Sequence, residues 1–216
     1  MTRYQAGDYV GATDFAAETK DARTLALAAR AALARAVLAD SERDAKRLAR
    51  EAEAYAKAAL DADPELLEAH LQYAAALGLR GRHTSGLAAH LQGLARRSRR
   101  HLDRALELEP ENAWALSMIG AWHMEVVRRG GARVYDASLE KGIDYYEAAL
   151  RADPENLVIA ANFAQALAES GDPELARRAR DVASRASRMA PEDAFSEAMR
   201  NRVAALAQDL GRASAM

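Results

Sequence analysis

The five histidines of this chain prompt a search for sites that bind a metal ion or transfer protons. They are His70, His83, His90, His101 and His123. His83 and His90 lie seven residues apart, but His83 belongs to the turn before the next helix and no adjacent carboxylate pair accompanies the two rings. His123 follows Trp122 and fits packing between helices better than catalysis. We therefore predict no metal site and no cofactor.

The short motifs that build common active sites are also missing. The sequence has no His-Glu-x-x-His, phosphate-binding loop, nucleophile elbow or dinucleotide fingerprint. It has no cysteine, which excludes thiolate catalysis and disulfides. Acid pairs such as Glu51 with Glu53 fit helix surfaces. We predict that the chain is not an enzyme and assign no catalytic residue.

The largest basic cluster is a run of arginines at helical spacing. Arg96, Arg100 and Arg104 form one stripe, with Arg97 beside it. The stripe could meet phosphate head groups, an acidic partner or nucleic acid. A solvated helix face is the interpretation that we favour, because Asp103 and other acids are near and no aromatic platform interleaves the arginines. Nucleic acid is the least favoured partner.

The elements that position these side chains are separated by a turn that recurs four times. Each copy follows an alanine-containing helix end and consists of a proline followed by glutamate, at Pro64, Pro110, Pro154 and Pro191. Proline is tolerated in the first turn of a helix, where its missing amide hydrogen has no intrahelical partner to lose. A recurring turn of this kind indicates stacked helical hairpins, which usually build a binding surface.

Composition favours helices throughout. Half of the residues are hydrophobic but only 6% are aromatic, so helix contacts have to be built largely from alanine, which lets helix axes approach closely. We predict an all-α, right-handed solenoid of antiparallel hairpins with about nine helices. Their predicted ranges are 22–38, 42–62, 64–80, 85–108, 111–129, 138–152, 155–170, 173–189 and 191–210.

We predict one helical domain over 14–210, preceded by an irregular segment 1–13 and followed by a tail 211–216. The formal charge of -2 neither demands nor excludes an anionic partner. No segment approaches the roughly 20 apolar residues of a membrane span, so we expect a soluble chain. We expect it in the cytoplasm if Met1 is native and in the periplasm if a leader has been removed.

The order of small and large residues resembles the tetratricopeptide repeat, a helix-turn-helix unit of about 34 residues. The resemblance covers roughly 42–210. The positions that match the family pattern are Gly120, Gly142, Tyr146, Ala149, Phe163, Ala164, Gly171 and Ala176. The repeats are enlarged and irregular, because the four turn prolines are 46, 44 and 37 residues apart. Such insertions usually map to one face of a repeat array.

The insertion pattern resembles a narrower group as well. The stretches 119–127, 134–138 and 145–150 look like the repeat domain of the regulator of microtubule dynamics family, and like bacterial periplasmic repeat proteins associated with TRAP-type transporters. This resemblance implies a repeat domain whose cavity or groove takes an apolar or lipid-like ligand.

Tetratricopeptide arrays bind ligands on the concave face formed by the first helix of each unit. Registering the units on their prolines predicts a largely small and apolar groove formed by Leu71, Ala75, Leu79, Trp114, Ser117, Ala121, Met124, Val158, Ala161, Asn162 and Gln165. Only Asn162 could help to bind a carboxylate, so a clamp for a peptide terminus is disfavoured. We predict a non-catalytic binding or scaffold protein that engages a protein or peptide partner through this groove. The alternative is a carrier or sensor of a lipid-like or other apolar ligand, associated with a transport system.

Two further arrangements stay open. The C-terminal helix can fold back and fill the groove, and we favour this arrangement. Its apolar stripe consists of Phe195, Met199, Val203 and Leu206. The inserted helix 85–108 can instead mediate homo-oligomerisation, because Leu87, Leu91 and Leu94 recur at helical spacing and need cover.

Overall fold

The computed structural model of the chain describes residues 2–19 and 21–213 and contains twelve α-helices in them. Within these ranges the chain forms no strand, so the prediction of an all-α protein is confirmed. In the part of the chain that the structure describes, no helix combines the length and the hydrophobicity that a membrane span needs. Contacts along the chain divide it into two compact units, Met1–Pro110 and Glu111–Met216.

Unit 1 is built around an alanine-rich helix. α2 packs against α1, α3 and α4, and α4 packs in turn against α3 and α6. Seven of the nine buried residues of α2 are alanines, which lets three neighbouring helices come close to its axis. The helices of the unit are α1 Tyr9–Thr19, α2 Ala22–Leu38, α3 Glu42–Ala62, α4 Leu67–Arg82, α5 Gly86–Leu91 and α6 Leu94–Leu108.

Unit 2 consists of two hairpins and a C-terminal helix. α7 pairs with α9, α10 pairs with α11, and α10 also contacts α7 and α12. The helices of the unit are α7 Ala113–Arg128, α8 Ala132–Tyr135, α9 Leu139–Ala152, α10 Leu157–Ala168, α11 Pro173–Ala186 and α12 Ala194–Ala213.

Three of the proline turns share one geometry. The residue before each proline is extended and its amide donates to the carbonyl oxygen four residues back, from Asp63 to Ala59, from Glu109 to Ala105 and from Asp153 to Ala149. A following proline disfavours helical dihedrals at this residue, so the helix has to end there. Pro64, Pro110 and Pro154 all lie in the turn itself. The sequence analysis placed Pro64 in the next helix, but that helix begins at Leu67.

The count of about nine helices is too low. Each predicted helix has a counterpart, but α1 begins at Tyr9, and residues 132–135 form a short helix, α8. The predicted helix 85–108 is divided into α5 and α6 because Gly93 adopts a left-handed backbone, with φ of 63°. Glycine reaches this region without the steric cost of a Cβ atom.

A close helix crossing in unit 2 depends on two glycines. A Cβ atom on Gly120 of α7 would lie 2.8 Å from the carbonyl oxygen of Gly142 in α9 and 2.7 Å from the Tyr146 ring. A Cβ atom on Gly142 would lie 2.6 Å from Cγ of Met124. All three distances are below van der Waals contact, so a Cβ atom at either position would force neighbouring atoms to move.

We expect Gly120→Ala and Gly142→Ala each to lower the free energy of unfolding by about 1–3 kcal/mol, because overpacking forces the helices apart. Gly78→Ala is the matched control: Gly78 lies in α4 and nothing is within 4 Å of its Cβ position. That substitution is expected to stabilise by about 0.4–1 kcal/mol. Urea denaturation followed by circular dichroism measures all three, and equal effects at the three sites would contradict the close crossing.

Candidate binding surfaces

The α4 part of the predicted groove faces other helices of unit 1. Leu71 is buried, at 2% exposure. Ala75 and Leu79 are half-buried and pack against a cluster formed by Ala32, Leu33, Ala52 and Ala76. Two of these partners belong to α2, so α2 covers much of the face of α4 that the sequence assigns to a ligand.

The unit 2 part of the predicted groove divides into buried and accessible residues. Ser117, Met124, Val158 and Ala161 are buried. Met124 lies over Gly142 of α9, and the Ser117 hydroxyl donates to the Trp114 carbonyl oxygen at 2.9 Å. The residues that keep accessible surface are Trp114 and Ala121, which are half-buried, and Asn162 and Gln165, which are exposed.

The C-terminal helix covers part of the same unit. α12 packs against α10 and α11. Met199 and Val203 are buried, and Phe195 and Leu206 are half-buried. The apolar stripe of α12 therefore serves as core between α12 and the second hairpin.

The three stretches that carry the narrower resemblance meet in one aromatic cluster. The Trp122 ring lies 6.2 Å from that of Tyr135 in an edge-on arrangement. The buried ring of His123 stacks on Tyr145 at 5.7 Å. The cluster joins α7, α8 and α9 through rings of which only His123 is buried, and α8 itself has no buried residue.

Comparison with protein families agrees with this local pattern. The family described as Regulator of microtubule dynamics protein 1-3 matches residues 9–211. The chain belongs to this family. No curated protein matches it. The match extends over both units, so the whole described chain apart from its ends is the family's domain.

In this family member the four arginines of the predicted stripe differ in their contacts. Arg97 forms an ion pair with Glu53 of α3 at 3.0 Å and also bonds to the Tyr73 hydroxyl. Arg104 forms ion pairs with Glu65 and Glu107. Arg96 and Arg100 are exposed. Two of the four arginines therefore hold unit 1 together, and two face solvent.

The leucines of the inserted segment do not share a face either. Leu94 is buried in a cluster with Ala29, Ala56, Tyr73 and Leu77. Leu87 and Leu91 of α5 are 73% and 77% exposed, the highest values among the large hydrophobic residues that are exposed. The left-handed Gly93 between α5 and α6 turns Leu94 toward the core and leaves the other two outside. The sequence expectation that all three form one apolar stripe is wrong for this reason.

Two histidines form a hydrogen-bonded pair that the sequence analysis did not find. His70 of α4 and His101 of α6 approach with their Nδ1 atoms 2.9 Å apart, and His70 Nε2 lies 2.8 Å from the Pro64 carbonyl oxygen. A carbonyl oxygen can only accept, so His70 carries its hydrogen on Nε2 when it is neutral. Its Nδ1 then accepts the hydrogen bond that His101 Nδ1 donates. The chain of bonds links a proline turn to α6.

The only sequence signal for this pair is that each histidine sits next to the core face of its helix. The two residues are 31 positions apart, so no search for short motifs brings them together. Within the described residues, no group of three or more His, Asp or Glu side chains is arranged to hold a metal ion.

The pair makes stability depend on pH. Burial, and then the neighbouring His70, Arg100 and Arg97, lower the pKa of His101 from 6.5 to about 4. The unfolded chain therefore binds the proton more tightly between these values. The contribution of His101 to the free energy of unfolding is complete above pH 6.5 and is lost as the pH falls toward 4.

We expect His101→Gln, which keeps an amide donor for His70, to reduce this loss of stability on acidification. Denaturant titrations between pH 7 and pH 4 measure the free energy of unfolding of the wild type and the variant. The two proteins have the same carboxylates, so the difference between their pH profiles reports on His101. His90→Gln, at an exposed site on α5, is the control and is expected to follow the wild type. An identical pH dependence for all three proteins would show that His101 stays solvated.

Proposed function

We propose that this chain is a non-catalytic binding protein that engages a protein partner through the accessible part of the α7 and α10 surface in unit 2. We call this part the α7–α10 face; it comprises Trp114, Ala121, Asn162 and Gln165. The observation that carries the proposal is the position of Trp114, which is half-buried near the start of α7 while most of the apolar residues of the same predicted surface are core.

The α7–α10 face has the chemistry of a protein interface. Tryptophan is among the residues that most often dominate binding energy, because its large ring gains apolar contact with little loss of conformational freedom. Asn162 and Gln165 each offer a donor and an acceptor, which suits the main-chain groups of a partner. The small side chain of Ala121 on α7 leaves room for a side chain of the partner.

Family membership supports a role in binding. The family's name describes regulators of microtubule dynamics, and regulation by a helical protein can operate entirely through association. We further propose that the hairpins within each unit stack in the manner of tetratricopeptide repeats, with the enlarged turns described above.

The alternative is a carrier of a lipid-like ligand. Three of the apolar residues that would line an acyl-chain site are buried: Met124, Val158 and Ala161. The side chain of Met124 packs directly over Gly142. Opening such a site would require separating helices that pack closely in the folded chain. A partner that docks on the surface requires no such change, so we argue for the protein partner.

We expect Trp114→Ala to weaken partner binding by at least about thirtyfold, which corresponds to loss of about 2 kcal/mol at a dominant contact. Affinity capture from the source cells yields the partner, and calorimetry with the purified partner gives the dissociation constants. Val134→Ala, at an exposed apolar residue of the same unit, is the control and is expected to bind like the wild type.

Unchanged affinity of the Trp114 variant would overturn the α7–α10 face as the binding site. An acyl ligand found by native mass spectrometry of the purified chain would favour the carrier instead. Co-sedimentation with microtubules tests in parallel whether the activity in the family's name extends to this member.

A further inference from the structure

The short helix α5 of unit 1 carries its large apolar side chains on the outside. Ala89 packs against the core cluster that contains Tyr73 and Leu94. Leu87 and Leu91 lie two residues before and after Ala89, about 200° around the helix from it. They therefore point away from the core, and both are largely exposed. The two leucines are about one turn apart and share one side of the helix, so we call them the α5 strip.

The sequence around the α5 strip is as free of charge as that of a core helix. Residues 83–95 contain no Lys, Arg, Asp or Glu. Two other stretches of thirteen residues have this property, 112–124 and 156–168. They supply most of α7 and α10, and each of these helices buries at least seven residues, whereas α5 buries none. Helix α5 thus combines an internal composition with a surface position.

The α5 strip is held in place from both ends of its helix. The Ser85 hydroxyl accepts from the Ala88 amide at the start of α5. At the end, Gln92 accepts from Arg80 of α4 at 2.7 Å, and Arg80 is itself paired with Glu53 of α3. The strip is therefore presented in a defined orientation before any contact forms, which reduces the entropy lost on association.

The absence of charge bears on which occupant fits the α5 strip. The nearest charged residues in the sequence, Arg82 and Arg96, both have interaction partners of their own. A partner recognised by its charge would therefore gain little here. A two-fold axis brings like residues together, which is unfavourable between charged surfaces. Between two uncharged strips it costs nothing, so the α5 strip is complementary to itself.

We propose that the α5 strip pairs with the α5 strip of a second copy of this chain. In a symmetric contact the two helices run antiparallel, so Leu87 packs on Leu91 of the second copy and the same pairing occurs a second time. All four leucines then lose exposed apolar surface. This contact belongs to unit 1 and is independent of the α7–α10 face.

The size of the contact determines how strong the dimer is. A helix of six residues supplies only part of the roughly 1,200 Å² that a stable complex buries. The dimer is therefore a transient one that forms at high protein concentration. Its two protomers exchange freely, which leaves each chain able to bind another partner through unit 2.

Sedimentation equilibrium of the full chain between about 10 µM and about 1 mM, the range in which weak complexes dissociate, tests the proposal. The average mass of the wild type is expected to rise with concentration toward that of a dimer. We expect Leu87→Gln with Leu91→Gln to raise the dissociation constant by at least about tenfold through loss of apolar contact. Val10→Gln with Phe15→Gln, at exposed residues of α1, is the matched control and should associate like the wild type. Thermal unfolding checks that every variant is folded.

Introduced cysteines test the antiparallel arrangement, because the chain has no cysteine of its own. We expect a mixture of the Leu87→Cys and Leu91→Cys proteins to form the mixed disulfide faster than either protein forms a disulfide with itself. The reason is that these two positions lie opposite each other across the axis. A mixture of Val10→Cys with Leu91→Cys, oxidised in the same way with copper–phenanthroline, gives the rate due to random collision.

Several results would overturn the proposal. They are a wild type that stays monomeric at 1 mM, self-association that the leucine variant retains, and a mixed disulfide that forms no faster than the collision rate. Flotation with phosphatidylcholine–phosphatidylserine vesicles that depends on the two leucines, without self-association, would assign the strip to a membrane surface instead. None of these results affects the α7–α10 face, because its test uses a residue of unit 2.

Discussion

The distance at which two helices cross is the constraint on which unit 2 depends. Gly120 and Gly142 let α7 and α9 approach until a backbone carbonyl occupies the space of a missing side chain. The same approach leaves room for Tyr146, whose ring stacks on Phe163 of α10 at 4.7 Å. Phe163 in turn lies under the guanidinium of Arg178 in α11, at 5.3 Å. One pair of glycines thus sets the positions of side chains in four helices.

Local signals made most of the helices predictable. Ser41, Asn112 and Asn156 accept hydrogen bonds from amides of the helices that they begin, and the residue before each of three prolines has to leave the helix. Such signals depend on neighbours in sequence, so they can be read without coordinates. The division at Gly93 was harder to predict because many glycines are tolerated within helices, and only the packing of Leu94 on distant residues requires a left-handed turn there.

The candidate surfaces were less predictable because they depend on contacts between distant residues. Periodicity places four arginines on one stripe. Two of them, however, bond to acids that are distant in the sequence: Arg97 to Glu53, 44 residues away, and Arg104 to Glu65, 39 residues away. Helical spacing likewise does not indicate which apolar residues of α7 and α10 are buried by neighbouring helices. The accessible position of Trp114 and the exposed pair on α5 became evident only when neighbouring helices were in place.

The alanine-rich contacts of α2 also affect how the chain responds to temperature. Alanine has no side-chain rotamers to lose on folding, so ordering this helix costs mainly backbone freedom. Its methyl group removes little apolar surface from water, and the heat-capacity change on unfolding depends on that surface. A helix packed through methyl groups therefore contributes less to this change than one packed through leucines. The contribution of α2 to the curvature of the unfolding free energy with temperature is therefore small for a buried helix of its length.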